Sequence, residues 1–291
     1  MPNKVRLKLR TKEALTGLIF ISPWLIGFSI FTLFPLIRTF LFSLQEVKVT
    51  AEGVRTFFVG MKNYKDAFLT DVTYPQLLID YFIQMLVYIP VIISFSIIIA
   101  LLLNINLKGR AFFRTIYFLP VIIASGPVFN KLNSMGAMTF EGLSNLQIIR
   151  DFQGTLPTLI SKAIDIFISG FIMILWFSGV QILIYLAGLQ KIDKSMYEAA
   201  KIDGASQWQI LWKITIPVLA PLTFINIVYT IITVSTFATS PIIQKILVDM
   251  YRPERGLGYA SALSWIYFIA MIVLIGIFAL ISFVYRKKKG T

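Results

Sequence analysis

From residue 262 to residue 285 the chain runs for 24 residues in which only Ser264, Gly276 and Ser282 fall outside the apolar set. A helix needs about 20 mainly apolar residues to cross a hydrocarbon core of about 30 Å. That segment alone excludes a water-soluble fold. Residues 14–44, 86–103, 112–132, 166–186 and 216–237 are the other long apolar stretches. The composition agrees: 57% hydrophobic and 14% charged residues depart far from the roughly half apolar, quarter charged mix of soluble domains. The expected architecture is an all-α integral membrane protein of six transmembrane helices.

The stretches differ in kind. Residues 14–44 exceed one upright span, and Pro23 and Pro35 are expected to kink or bound them. A signal peptide is the competing reading of this end, but the apolar part is too long for one and no small-residue cleavage site follows it, so a retained first span is expected. Residues 112–132 carry Pro120, Gly126 and Pro127, and residues 216–237 carry many Thr, Ser and Asn; both read as interior helices, where freed backbone and polar groups find partners.

Charge orients the set. The chain holds 27 Lys and Arg against 14 Asp and Glu. A nucleic-acid partner does not explain the excess, because apolar runs this long do not stay soluble beside a basic binding face. With the N-terminus inside the cell, the inner segments hold Lys4, Arg6, Lys8, Arg10 and Lys12; Lys108, Arg110 and Arg114; Lys191, Lys194, Lys201 and Lys213; and Arg286, Lys287, Lys288 and Lys289. Against these stand only Glu13, Asp193, Glu198 and Asp203. That is the positive-inside distribution of a chain with an even number of spans and both ends cytoplasmic, in a bacterial-type plasma membrane. The organisation expected is a basic N-terminus (1–13), one membrane domain (14–285) with a cytoplasmic loop at 187–217, and a basic tail (286–291) near anionic lipid headgroups. The outer loops, about 45–76, 133–162 and 238–261, are too short for a separate domain of about 50 residues.

The chain has no cysteine and no histidine. Disulfides, thiolate nucleophiles, imidazole acid–base chemistry and Cys/His metal sites are therefore excluded. No G-x-x-x-x-G-K-[ST] run is present to cradle the phosphates of ATP.

The inner loop has a readable grammar. Residues 191–221 read KIDKSMYEAAKIDGASQWQILWKITIPVLAP. Ser195 and Glu198 fit a capping box, so a helix is expected to start there. Ala199, Ala200, Lys201 and Ile202 continue it and Asp203-Gly204 ends it. A second helix is expected from near Ser206 through Trp208, Ile210, Leu211 and Ile214 toward Pro217. On spacing alone, an interfacial helix whose Glu198 merely caps fits as well as a pushed elbow does.

At these residues the chain resembles the membrane subunits of binding-protein-dependent ABC importers, whose loop reads EAA, three residues, Gly, nine residues, Ile-x-Leu-Pro. Glu198-Ala199-Ala200, Gly204 and Ile214-Thr215-Ile216-Pro217 match it, with Ile216 in place of Leu. Ser22-Pro23-Trp24-Leu25-Ile26-Gly27-Phe28, Phe34-Pro35, Phe58-Val59-Gly60-Met61-Lys62-Asn63-Tyr64 and Gly258-Tyr259-Ala260-Ser261-Ala262 are similar to elements of the carbohydrate, MalF-like branch. The large outer insertion of the maltose subunit is absent, so the short six-span sugar permeases are the closer comparison.

The resemblance implies a type I importer (MetI-like, MalF-like) permease fold and a path for a carbohydrate, an oligosaccharide by class. It implies that Tyr197, Glu198, Ala199, Ala200, Asp203 and Gly204 couple to a cytoplasmic ATPase, with ATP and Mg bound by that partner and no cofactor, metal or catalysis in this chain. The implied partners are a second, non-identical permease, two ATPase subunits, an extracytoplasmic sugar-binding protein and membrane lipid, with no nucleic acid. A polyol crossing hydrocarbon needs hydrogen-bond partners at depth. Asn226, Thr230, Thr233 and Phe237 fall at i, i+4, i+7 and i+11 on one expected helix face. Met173, Trp176 and Phe177 offer apolar surface to a sugar ring. Ser, Thr and Asn also mediate helix packing in membranes, and a mid-span Trp is often core.

Rival classes fit less well. An ion-coupled secondary transporter half needs mid-membrane carboxylates, and Asp80, Asp165, Lys131 and Arg38 all reach an interface. A channel needs charged or carbonyl rings, and an enzyme has little chemistry to draw on here.

Overall fold

The computed structural model describes residues 9–50, 53–105 and 156–289 together with positions 112, 115, 131 and 135. The expected third span at 112–132 apart from those isolated positions, the basic residues Lys108, Arg110 and Arg114, most of 133–162, and the side chains of the two basic ends lie outside the described residues. Among the described residues, five helices are long and apolar enough to cross a membrane: Glu13–Ser43, Thr73–Asn104, Phe171–Gln190, Gln207–Ser235 and Gly256–Val284.

The first of these is α1 (Leu9–Phe28), a π-helical turn (Ser29–Leu33) and α2 (Phe34–Ser43) in succession. Pro35 sits at the start of α2, directly after the wide turn. Proline lacks the N–H that would bond four residues back and its ring crowds that carbonyl, so the helix absorbs it by widening. At Pro35 the expected break is therefore a π turn, whereas α1 runs through Pro23 without bounding there. The same device recurs at Pro217, which follows the π turn Leu211–Thr215.

Two compact units are distinguished: the residues up to Val72 with Lys245–Ile266, and Thr73–Gln244 with the residues from Tyr267 on. In the first, α2 ends at an antiparallel hairpin, β1 (Gln45–Thr50) and β2 (Gly53–Phe58), in register Gln45↔Phe58 and Lys48↔Arg55. This hairpin is an addition that the expected helical membrane architecture did not include. The run QEVKVT alternates polar and β-branched residues, the period of a strand, and Val47 is buried while Glu46 and Lys48 pair at 3.0 Å. After it, α3 (Lys62–Leu69) returns to the end of α2. Asn63 Nδ2 donates to the carbonyls of Ser43 and Gln45 at 2.9 and 3.0 Å, and the Tyr64 hydroxyl meets Ser43 Oγ at 2.7 Å. Gly258 packs so closely that a Cβ there would lie 2.0 Å from the Gln45 carbonyl oxygen. A charged cluster completes the unit. Asp71 and Asp249 are buried; Lys245 reaches them at 2.9 and 2.6 Å, Arg255 bonds both, and the Tyr259 hydroxyl donates to Asp71 at 3.0 Å.

The second unit is built on α4 (Thr73–Asn104), α5 (Thr158–Ser169), α6 (Phe171–Gln190), α7 (Lys194–Ile202), α8 (Gln207–Ile210) and α9 (Ile216–Ser235). A tenth helix, α10, spans Pro241–Met250, and α11 spans Gly256–Lys289. In α4 the buried residues Tyr81, Met85, Tyr88, Ile92, Ser96, Ala100 and Leu103 recur every three or four positions, a stripe turned to the helices that pack on α4, α6 foremost among them. The span expected at 166–186 instead begins at Phe171 and runs to Gln190. The helix breaks at Gly170, where the Tyr88 hydroxyl lies 2.1 Å from the place of a Cβ; no other residue fits against that ring. Lower on α6, a Cβ on Gly188 would lie 2.2 Å from Leu222 Cδ1, so α6 and α9 approach backbone to side chain.

Candidate functional site

Two groups of residues stand out in the second unit: the short helices between α6 and α9, and a row of polar side chains buried between those same helices.

Helix α7 is closed at both ends by its own sequence. The N-cap is Asp193, whose carboxylate accepts the Ser195 N–H at 2.9 Å. Ser195 is thus the second residue of the helix and Glu198 the fifth, which corrects the expected Ser195–Glu198 box. A carboxylate is a stronger acceptor than a hydroxyl and takes the role two residues earlier. The Ser195 backbone N–H, then its side chain, hold the Asp193 carboxyl below its ordinary pKa. The capping box belongs to α8: Gln209 N–H donates to Ser206 Oγ at 3.3 Å and Ser206 N–H to Gln209 Oε1 at 2.8 Å.

The C-terminal end is a Schellman turn. Ala205 N–H donates to the Ala200 carbonyl at 2.9 Å and Gly204 N–H to that of Lys201 at 3.1 Å. Gly204 has φ +76°, a conformation that costs other residues about 1–2 kcal/mol. Nothing lies within 4 Å of where its Cβ would stand. Glycine here serves the backbone reversal, and the space beside it is open.

The faces of α7 differ. Tyr197 and Ala200 are half-buried; Glu198, Ala199, Asp203 and Gly204 are exposed. Ile202 is 86% exposed, and Met196 lies in the open two turns before it. Inward, Tyr197 and Lys201 line a cavity of about 520 Å³ with Ile98 and Leu102 of α4, Leu189 and Ile210. The Tyr197 hydroxyl lies 3.2 Å from Thr215 Oγ1 at the root of α9. One side of α7 is thereby tied to the next long helix, and the other presents Met196, Ala199 and Ile202 beside Glu198.

The polar row is deep. Gln181, Asn226 and Thr230 are fully buried. Gln181 Nε2 donates to Thr230 Oγ1 at 2.9 Å, Thr230 Oγ1 donates to the Asn226 carbonyl at 2.8 Å, and Asn226 Nδ2 reaches the Gln181 carbonyl at 3.5 Å. A turn away, the Tyr185 hydroxyl donates to Thr223 Oγ1 at 3.0 Å. At the opposite end the Tyr81 hydroxyl meets Ser235 Oγ at 2.7 Å and Tyr267 donates to the Ser235 carbonyl at 2.9 Å.

Of the residues expected to line a path, Asn226 and Thr230 thus share the face turned to α6. Phe177 is buried and meets the Phe237 ring edge-on at 5.1 Å. Phe237 lies two residues beyond α9 rather than within it. Met173, Trp176 and Thr233 are half-buried. Sequence reasoning passed over Gln181, although it is the one amide inside the apolar run 166–186, a signal that marks a buried polar partner. Near the start of α4, Asp80 accepts from Lys162 and from Gln76 at 3.0 Å, a half-buried ion pair.

A family model for the binding-protein-dependent transport system inner membrane component matches residues 72–287. The chain is 32% identical to the probable ABC transporter permease protein YesP of Bacillus subtilis (strain 168), over 94% of this chain and 90% of that one. It is 31% identical to the lactose transport system permease protein LacF of Rhizobium radiobacter, over 89% and 82%. It is 30% identical to the trehalose/maltose transport system permease protein MalF of Thermococcus litoralis, over 78% and 76%. Its fold is similar to a chain in the crystal structure of a bacterial alginate ABC transporter in complex with an alginate pentasaccharide-bound periplasmic protein, with a TM-score of 0.63 at 18% identity over 94% and 96% of the two chains. The family model and these relatives agree: the chain belongs to the inner membrane permeases of binding-protein-dependent ABC importers, a non-catalytic membrane subunit whose relatives include sugar permeases.

Proposed function

We propose that the chain forms half of the translocation path of an ATP-driven carbohydrate importer and takes its motion from a cytoplasmic ATPase through α7. The observation that carries this reading is the construction of α7: capped at both ends, tied by Tyr197 to Thr215 at the root of α9, and open along Met196, Glu198, Ala199 and Ile202. A helix so built transmits a push without unravelling. Asp203 and Gly204 close it, and Tyr197 and Ala200 seat it.

In this reading residues 112–132 supply a sixth span, and both basic ends and the loop lie in the cytoplasm. ATP and Mg belong to two ATPase subunits; the partner's different affinity for the two transporter geometries drives the switch, as any two-state element requires. A second, non-identical permease completes the path and an extracytoplasmic sugar-binding protein delivers the cargo. The lactose and trehalose/maltose relatives support a sugar as that cargo. Met173, Trp176, Phe177, Thr233 and Phe237 offer ring faces and a hydroxyl to it, and Asn226 and Thr230 supply the polar row behind them.

The test is a reconstituted transporter carrying Gly204→Trp. The open space beside Gly204 predicts normal insertion; the strained turn and the bulk predict loss of sugar-stimulated ATP hydrolysis by about tenfold or more, the scale of a lost docking contact. Normal import with normal ATPase assembly removes the docking role. In the same assay Trp176→Ala raises the sugar concentration needed for half-maximal uptake, and an unchanged curve moves the path elsewhere.

A further inference from the structure

The helix that leads into α9 is longer than a membrane span. Gln207–Ser235 is continuous over 29 residues, about 43 Å at 1.5 Å per residue. The 20 residues of α9 already cover a hydrocarbon core of about 30 Å. Residues 207–215 therefore project into the headgroup layer, which is roughly 5–8 Å thick on each side, and to its surface.

This projecting segment is two-faced. Ile210 and Thr215 are buried by the chain itself. On the outward side Trp208 is 67% exposed and Trp212 52% exposed, one turn apart, with ring centroids 5.5 Å apart in an edge-on pair. Gln209 and Lys213 are exposed with them. Indole has an apolar body and one N–H donor, which is why tryptophan collects where acyl chains meet headgroups. A lysine beside it adds attraction for an anionic leaflet.

We propose that Trp208, Trp212 and Lys213 form a binding face for anionic phospholipid headgroups, which holds the root of the coupling element at the membrane surface. Lipid is favoured over the ATPase by continuity: the same helix goes on to expose Val218, Ile225 and Ile232 along its membrane-spanning part, whereas α7 is separated from it by the Gly204 reversal. The proposal rests on the reading of α7 as the coupling helix for the side of the membrane involved, and it fixes what the neighbouring helix touches. With the headgroups as a bearing, a push on α7 tilts α9 rather than sliding the loop along the surface.

The chain has no cysteine, so the assembled transporter, with partner cysteines replaced, is spin-labelled at Gln209→Cys or at Ser195→Cys. It is placed in nanodiscs of phosphatidylcholine with or without about 30 mol % phosphatidylglycerol, an anionic headgroup. The label at 209 is expected to favour oxygen over a water-soluble nickel chelate about threefold more than the label at 195, with or without the ATPases, as a group at the lipid boundary does. In closed proteoliposomes of the same two lipid compositions, phosphatidylglycerol is expected to raise import about twofold or more, and Lys213→Gln and Trp212→Ala each to blunt that response.

Equal accessibility at 209 and 195 overturns the proposal, as does shielding at 209 that vanishes when the ATPases are stripped, which makes the occupant a protein. An unchanged phosphatidylglycerol response in both variants overturns it too. The label at 195 reports ATPase docking on its own, so failure of the coupling reading is seen separately.

Discussion

Asp193 and Ser195 show how fine the choice of a cap is. Both are good N-cap residues, both precede the same apolar turn, and the carboxylate takes the role. This has a pH consequence. The Asp193 carboxyl titrates below its ordinary value because Ser195 donates to its charged form. Its contribution to α7 is therefore fully present above the unfolded carboxylate pKa of about 3.9 and is lost as pH falls through the lower folded value. Hydrogen-exchange protection of the first-turn amides of α7 should hold from neutral pH down to that range and then fall. In Asp193→Asn, protection in this turn should show no such step; a step of the same size would assign the titration to another group. Glu198 takes no part in the cap, and its side chain is exposed.

At the scale of elements, the long helices were legible and their ends were not. The apolar runs mark five spans that the structure bears out as helices, because a span must stay mainly apolar for about 20 residues. Their boundaries moved wherever polar residues continue a helix beyond the apolar run: α4 starts at Thr73 rather than at residue 86, and α11 at Gly256 rather than at 262. The hairpin at 45–58 went unread because an alternation of six residues is a weak signal beside spans of twenty. The loop helices were legible through Gly204 and Ser206, which punctuate the chain with backbone geometry. Gln181 was missed because its role is set by what it faces across α9, which no spacing on α6 reveals. That pairing predicts an asymmetry. Thr230→Val strands the Gln181 amide in a fully buried site and should cost about 1–2 kcal/mol. Gln181→Leu with Thr230→Val removes both partners and should cost less than Thr230→Val alone, as measured by denaturation in mild detergent. A double variant whose loss equals the sum of the singles means that the two side chains do not interact.

For the whole molecule the decisive quantity is the number of crossings between the hairpin and α7. If residues 112–132 cross the membrane, three spans separate Thr56 from Ser195, and the two positions face opposite sides. If they do not, only Thr73–Asn104 and Phe171–Gln190 intervene, and both positions face the same side. The charge pattern discriminates between these arrangements. With three crossings, Lys191, Lys194, Lys201 and Lys213 join the basic N-terminus and the basic tail inside the cell; with two, those lysines and the tail lie outside, against the positive-inside bias of short loops. Thr56 and Ser195 are both exposed, and the native chain contributes no background thiol. Thr56→Cys should therefore react with a membrane-impermeant maleimide in intact spheroplasts, and Ser195→Cys only after permeabilisation. Reaction of both from the same side would remove the span at 112–132. It would also place α7 and its exposed Met196, Ala199 and Ile202 where no cytoplasmic ATPase can reach them.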